Sequence, residues 1–325
     1  MVKAFVFGKF LPFHKGHEAM IGFALTKCDF LSVLVCCDND EDIPGEIRKH
    51  WIESTFSAVQ NIEVEVLHYD HNILPNSSQT SANVSEIWSV EFKKRYPDYN
   101  LVITSEPYGD LVANFMGIYH IPFDLGKVRY PISASTIRKD IFANWHYLPS
   151  AVKPYFAIKV VILGTESTGK TTLTEQLAIQ YNCSLVGETG RELIPDSTNF
   201  TFEDLYLVAN EHAKRIDDAT MGNSPLIIID TDIHVTRSYA RFAFNQDLQV
   251  GDYICQASKA DLYLYLNNDV PYYQDGTRLD KKDRDLLDQF HREVLREHQI
   301  KFVEIAGSWE NRFDLAVSQI SQLIT

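Results

Sequence analysis

A chain of 325 residues is long enough for two domains, each with its own hydrophobic core. Hydrophobic residues make up 45% and charged residues 23%, the mix of an ordinary soluble globular protein. Its 44 acidic against 30 basic side chains leave a net charge of -14, which argues against a general nucleic-acid surface but not against small phosphorylated ligands held by a few cations and backbone N–H groups.

Five cysteines (Cys28, Cys36, Cys37, Cys183 and Cys255) form an odd set without CxxC spacing, against a disulfide framework or a structural zinc site. Reduced, mostly buried thiols in a cytoplasmic protein are the expectation. The opening MVKAFVFGKF lacks the apolar core of a signal peptide, and no apolar run reaches the roughly 18 residues of a membrane span.

In chain order, strands are predicted at 4–7, 30–37, 62–67 and 101–104, with helices near 16–27, 46–59 and 83–96 between them. The polar stretch 76–81 reads as a loop. Around 148–155 the text LPSAVKPY carries two prolines, which disfavour regular structure. Domains are therefore placed at 1–150 and 156–325. In the second, strands are predicted at 158–163, 226–229, 262–266 and 302–305, and helices near 170–181, 202–219, 286–297 and 312–323. Strand–helix alternation in both halves gives an α/β protein with two parallel sheets, which bind ligands beyond the carboxyl ends of their strands.

The string GKFLPFHKGH follows the first strand directly. Gly8 ends the strand without a Cβ, so a ligand can come close to the backbone. His14 and His17, spaced HxGH where a loop enters a helix, can converge with helix N–H groups on one anion. That suits nucleotidyl transfer, in which a substrate phosphate attacks the α-phosphate of ATP and the catalyst positions groups and stabilises charge. Gly8, Lys9, Phe10, His14 and His17 are the ATP-site candidates here; the competing reading is two histidines packed near a turn.

Near the end of this half, ISASTIR supplies Ser133, Ser135 and Arg138. If Ser135 or Thr136 opens a helix, its start and Arg138 can hold the β- and γ-phosphates. Arg48 and Trp51 in IRKHWI read equally as acceptor-site residues or as one face of a surface helix. In TSEPYGD, Glu106, Tyr108 and Gly109 read equally as nucleotide contacts or as a plain loop.

GTESTGKT, residues 164–171, fits GxxxxGK(S/T) between an apolar strand and an amphipathic helix, as that motif requires. Gly164, Glu166, Ser167, Thr168, Gly169, Lys170, Thr171 and Thr172 form the second ATP site. Loop N–H groups wrap phosphate oxygens, Lys170 reaches the β- and γ-phosphates, and Thr171 helps hold Mg²⁺. LIIID ends in Asp230, a second Mg²⁺ ligand of the Walker-B kind; Asp232 either meets substrate hydroxyls or caps a helix. In GETGRE, Glu188 is the candidate base for an attacking hydroxyl and Arg191 a substrate or phosphate cation, against a simple surface ion pair. QDGTRLDKKDR, 274–284, reads as a lid with Arg278 and Arg284 as transition-state cations, or as a solvated charge run.

Taken together, GKFLPFHKGH, IRKHWI, ISASTIR, the link YLPSAVKPYF, GTESTGKTT, ETGRE, IIIDTD and DGTR span the whole chain from Gly8 onward. The chain resembles the NadR-type bifunctional family, an HxGH nicotinamide-nucleotide adenylyltransferase followed by a P-loop ribosylnicotinamide kinase. The resemblance implies two Mg²⁺·ATP-dependent reactions. The second domain would phosphorylate nicotinamide riboside to nicotinamide mononucleotide, and the first would join that product to AMP, giving NAD and pyrophosphate. The implied partners are these small molecules, with no nucleic acid and no membrane; a homo-oligomer is left open. Some relatives carry a helix-turn-helix repressor domain ahead of the adenylyltransferase. With Met1 only seven residues before Gly8, that domain is expected to be absent. Ser135 stands where many relatives have Thr, which keeps the hydroxyl. Two rivals remain at this point. One is a coenzyme A synthase-like pairing, whose kinase loop is usually more Gly-rich. The other is a sensor that binds NAD and ATP without turnover, against which the intact His14, His17, Lys170 and Thr171 speak.

Overall fold

In β1 (Lys3–Gly8), Ala4, Phe5 and Val6 are all fully buried, so both faces of the strand are covered, as in the interior of a parallel sheet. The structure is a computed structural model that describes residues 1–76, 81–194, 200–270 and 279–324. It divides into two units, Met1–Lys153 and Pro154–Thr325.

In the first unit, β1 pairs on one side with β2 (Phe30–Asp38), which pairs with β3 (Ile62–Tyr69). On the other side it pairs with β4 (Leu101–Thr104), which pairs with β5 (Tyr119–Pro122). All pairs are parallel, in the order β3-β2-β1-β4-β5. The helices are α1 (Lys15–Leu25), α2 (Gly45–Thr55), α3 (Ala82–Arg95), α4 (Tyr108–Met116), α5 (Ala134–Lys139) and α6 (Ile141–Asn144). Phe5, Leu34, Phe92, Tyr96 and Val102 pack α3 and the sheet into one core, each side chain contributing about 1.5–3 kcal/mol on burial. The chain leaves β1 in one direction and returns to β4 on its other flank. Gly8 and Thr104 therefore end neighbouring strands at the crevice where such sheets take ligands.

A short helix, α7 (Lys153–Phe156), lies at the boundary. In the second unit β6 (Ile158–Leu163) is central. Val160 and Ile162 enter one core cluster with Leu226 and Ile228; Val161 and Leu163 enter the other with Ile227 and Ile229. That two-residue alternation is the strand period, with apolar residues needed on both faces. The strands β7 (Ser184–Val186), β8 (Leu226–Asp230), β9 (Leu262–Leu266) and β10 (Val303–Ile305) complete a parallel sheet in the order β10-β9-β6-β8-β7. Its helices are α8 (Lys170–Tyr181), α9 (Thr189–Leu193), α10 (Phe202–Ala219), α11 (Ile233–Phe244), α12 (Asp252–Ala257), α13 (Lys281–Glu297) and α14 (Trp309–Ile324).

Several expectations need correction. Residues 104–110 are not only a loop, because α4 begins at Tyr108. The helix of ISASTIR opens one residue before Ser135, with Ser133 as its cap. Of the supposed lid, residues 274–278 lie outside the described residues, and 281–284 already belong to α13, which starts five residues before the expected 286. Only Cys36 and Cys37 of the five thiols are buried. Among the described residues no helix is long and apolar enough to cross a membrane.

Candidate active sites

At the first site the loop after β1 turns into α1 at His14, whose extended backbone (φ -142°, ψ 168°) makes it the N-cap. Its Nδ1 accepts the Gly16 N–H at 3.1 Å. A backbone donor on Nδ1 leaves the proton of the neutral ring on Nε2. Gly16 is needed for this turn, since a Cβ there would lie 3.0 Å from His14 Cε1. The ring of His17 stacks on that of His14, centroids 3.7 Å apart. Burial, and then the charge of Lys127, push the pKa of His14 down to about 4. Burial, His14 and Lys127 push that of His17 well below its ordinary value. Both rings are thus neutral at pH 7, and the buried Nδ1 of His17 has no partner among the described residues.

Phe10, expected at the ATP site, is turned inward: its ring is 1% exposed and stands edge-on to His17 at 5.0 Å. Lys9 is partly exposed, and its Nζ pairs with Glu41 Oε1 at 2.7 Å. Arg48 is fully buried, contrary to a surface helix. Its Nη1 donates to the Lys9 carbonyl at 2.7 Å and meets Glu41 Oε2 at 2.8 Å, while Nη2 meets Cys37 Sγ at 2.7 Å. Arg48 therefore fastens α2 to the loop behind Gly8. Trp51, also on α2, is buried at 3% exposure.

ISASTIR comes to the same loop: Arg138 donates to the Leu11 carbonyl. The Ser133 hydroxyl accepts the Thr136 N–H at 3.2 Å and lies 2.9 Å from the Ser135 hydroxyl. Lys127, which the motifs did not single out, stands in a turn organised by Asp124, whose carboxylate accepts the N–H groups of Val128, Arg129 and Tyr130. It pairs with Glu106 at 3.1 Å. Gly109 has a packing role, because a Cβ would run into His120 and Thr104. Tyr108 lines a cavity of about 210 Å³ beside Gly8, shared with Phe7, Tyr69 and Trp88. Trp88 is held there by its indole N–H to the Pro75 carbonyl at 3.1 Å and by edge contact with Tyr69.

At the second site the loop after β6 needs its glycines. Gly164 (φ 137°) has the Leu266 carbonyl where a Cβ would stand, and Gly169 (φ 85°) has the Trp309 ring there. Lys170 Nζ donates to the Thr165 carbonyl at 3.1 Å, and the Thr168 hydroxyl donates to the same oxygen at 2.8 Å. Glu166 accepts the Tyr239 hydroxyl at 2.9 Å and the Leu279 N–H at 3.1 Å. Ser167 takes a left-handed backbone (φ 59°) and Thr172 is exposed on the first turn of α8.

The Thr171 hydroxyl donates to Asp230 Oδ2 at 2.7 Å, and Oδ1 is buried without a partner among the described residues. Burial raises the Asp230 pKa against the pull of Lys170, and the negative Glu188 adds to the rise. Such a carboxylate, with one orphan oxygen beside a hydroxyl and a lysine, fits a divalent cation.

Glu188 and Arg191 form an ion pair at 3.1 Å close enough to act on Asp230. Asp232 takes the capping alternative: its Oδ1 accepts the His234 N–H at 2.9 Å and its Oδ2 meets His234 Nδ1 at 2.6 Å. Arg284 is not in a solvated run. It is 2% exposed, and its Nε donates to the Glu166 carbonyl at 2.8 Å, bracing the loop from behind. Arg278 lies outside the described residues.

Two supporting residues carried no motif. His212 receives the Thr189 hydroxyl on Nδ1 (2.9 Å) and donates from Nε2 to the Thr231 carbonyl (3.2 Å), tying α9 to the end of β8. Arg312, 1% exposed, donates to the carbonyls of Thr168, Asn267 and Gly307 and pairs with Asp269.

Two parallel α/β units, the second built on a phosphate-binding loop with a Thr–Asp pair, define a nucleotide-binding α/β protein of two units, the second with a P-loop sheet. Residues 159–312 match a family model described as an AAA domain. Over 98% of the chain the sequence is 27% identical to the trifunctional NAD biosynthesis/regulator protein NadR of Escherichia coli (strain K12), covering 82% of that protein. A crystal structure of a NadR protein in complex with NAD and AMP-PNP superposes with a TM-score of 0.69 at 20% identity, covering 99% of this chain and 96% of that one. A second, of a NadR protein in complex with NR, gives 0.68 at 20% identity, covering 98% and 95%. The chain is a homologue of NadR.

Proposed function

We propose that the chain makes NAD in two steps. In the second unit the 5′-hydroxyl of nicotinamide riboside attacks the γ-phosphorus of ATP. The P–O bond to ADP breaks, and Glu188 takes the hydroxyl proton. Lys170 and the loop N–H groups hold the β- and γ-phosphates. Thr171 and Asp230 would hold the Mg²⁺ that arrives with ATP and neutralises charge on the phosphates. In the first unit a phosphate oxygen of nicotinamide mononucleotide attacks the α-phosphorus of a second ATP, and pyrophosphate leaves. The neutral imidazoles of His14 and His17 donate N–H bonds to the phosphate where charge develops. Lys9, Ser133, Ser135 and Arg138 receive the departing phosphates. The aromatic cavity beside Gly8 takes the flat base of the mononucleotide, with Trp88 as its wall.

The observation that carries this reading is the stacked His14–His17 pair where the loop after β1 enters α1, with one imidazole capping α1 and the other presenting a buried nitrogen unpartnered among the described residues. The NadR structures described with NAD, AMP-PNP and NR support the same assignment of ligands. Separation of the two activities tests it. Lys170→Ala is expected to lose riboside phosphorylation and keep conversion of mononucleotide to NAD. His17→Ala is expected to accumulate mononucleotide without NAD. Loss of both activities in either folded variant refutes independent sites.

A further inference from the structure

Trp309 is the only tryptophan of the second unit, and its ring is 57% exposed at the start of α14. Leaving so large an apolar surface in water forfeits burial energy, so the exposure calls for an occupant. The ring is rigidly mounted. Its inner edge lies where a Cβ on Gly169 would stand, immediately before Lys170, and the buried Arg312 guanidinium sits 5.4 Å from its centroid. Arg312 is in turn anchored on the Thr168 carbonyl of the phosphate loop and on the loops after β9 and β10. The aromatic plane is therefore fixed to the same frame as the phosphate-binding backbone.

Beside it opens a cavity of about 310 Å³, lined by Thr172, Leu173, Gln176, Leu266, Trp309 and Arg312. Thr172 and Gln176 are one turn apart on α8, both exposed, so they form a polar wall facing an aromatic one. A triphosphate cradled by the loop, with its γ-end toward Lys170 and Asp230, runs its other end out past the first turn of α8. A flat, uncharged heteroaromatic ring fits that end: it stacks on indole, while the Gln176 amide offers both a donor and an acceptor.

On the reading of this loop as the ATP site of a kinase, we propose that Trp309 is the platform for the purine base of the phosphoryl donor. The cavity between Trp309 and the Thr172/Gln176 face of α8 is then the base subsite. Gly169 and Arg312 act as positioning residues for the indole. The phosphates supply affinity common to all nucleoside triphosphates, and the stacked base supplies the part that inorganic polyphosphate lacks.

Indole fluorescence isolates the site, because the difference between the wild-type protein and Trp309→Phe reports this one ring. Mg·AMP-PNP is expected to quench the difference signal; Mg·tripolyphosphate is expected to reverse the quench by competition without quenching by itself. Trp309→Leu, which keeps bulk against Gly169 but cannot stack, is expected to weaken AMP-PNP binding at this site by about tenfold and leave tripolyphosphate affinity unchanged. Trp309→Phe is expected to restore most of the loss. Equal weakening of both ligands in Trp309→Leu would show that the ring merely props the loop and would overturn the proposal, as would quenching by tripolyphosphate alone. Failure of tripolyphosphate to displace AMP-PNP from the wild-type protein would instead overturn the phosphate-loop reading, and the base subsite with it.

Discussion

His14 and His17 lie with their ring centroids 3.7 Å apart, and burial together with Lys127 keeps both uncharged. Two imidazolium ions could not share that spacing without strong repulsion, and an anion beside them relieves it. The sign of the pH dependence follows. The unfolded chain protonates His14 near 6.5, whereas the folded chain does so only near 4. Stability of the first unit is therefore full above about pH 6.5 and falls as pH drops toward 4, by about 3 kcal/mol from this residue. Nucleotide phosphates raise the pKa again. In the Lys170→Ala protein, calorimetric titration with Mg·AMP-PNP at pH 5.5 in buffers of different ionisation enthalpy should show proton uptake that vanishes by pH 8.

Gly16 separates helix propensity from function. Alanine suits a helix better by about 0.5–1 kcal/mol, yet its Cβ would press on the capping ring of His14. Gly16→Ala is expected to melt within a few degrees of the wild type while adenylyl transfer falls at least about tenfold and riboside phosphorylation is unchanged. Thermal melts and the two separate assays check this.

Arg48 ties a buried ion pair with Glu41 to the Lys9 backbone carbonyl. Arg48→Met should destabilise the first unit by about 3 kcal/mol, because Glu41 and the Lys9 carbonyl lose a buried partner. Denaturant unfolding followed by the Trp51 and Trp88 emission measures it. A fully stable Arg48→Met protein with a raised KM for mononucleotide would return the residue to the acceptor site.

Asp230 has one oxygen on Thr171 and one without a partner among the described residues. Asp230→Asn should cut riboside phosphorylation by at least about 100-fold, raise the Mg²⁺ concentration needed for it, and leave adenylyl transfer intact. Activity assays across a Mg²⁺ series test all three.

Much of the fold was legible because buried parallel strands write themselves as apolar runs: β6 and β8 fill both faces with Val, Ile and Leu. β5 was not, since YHIP is a short edge strand with Tyr119 largely exposed and a proline at its end. α11 was hidden by isoleucine, valine, threonine and aromatic residues, which locally favour strand and are overridden by packing on α13. At the sites, contiguous motifs such as HKGH and GTESTGKT could be read directly. Lys127, His212, Arg312 and Trp309 could not, because each reaches its site from a distant segment with no local pattern to mark it. Arg284 was misjudged for a related reason: a charge-rich string gives no sign that one of its cations turns inward to a loop carbonyl over a hundred residues away.

The central claim is that one polypeptide consumes two ATP molecules in two different ways. The direct measurement is incubation with nicotinamide riboside and Mg·ATP while ADP, pyrophosphate and NAD are quantified together. One ADP and one pyrophosphate released for each NAD formed is the expected result. ADP without pyrophosphate, or no product from the riboside together with ADP formation when dephospho-coenzyme A is supplied in its place, would contradict the account.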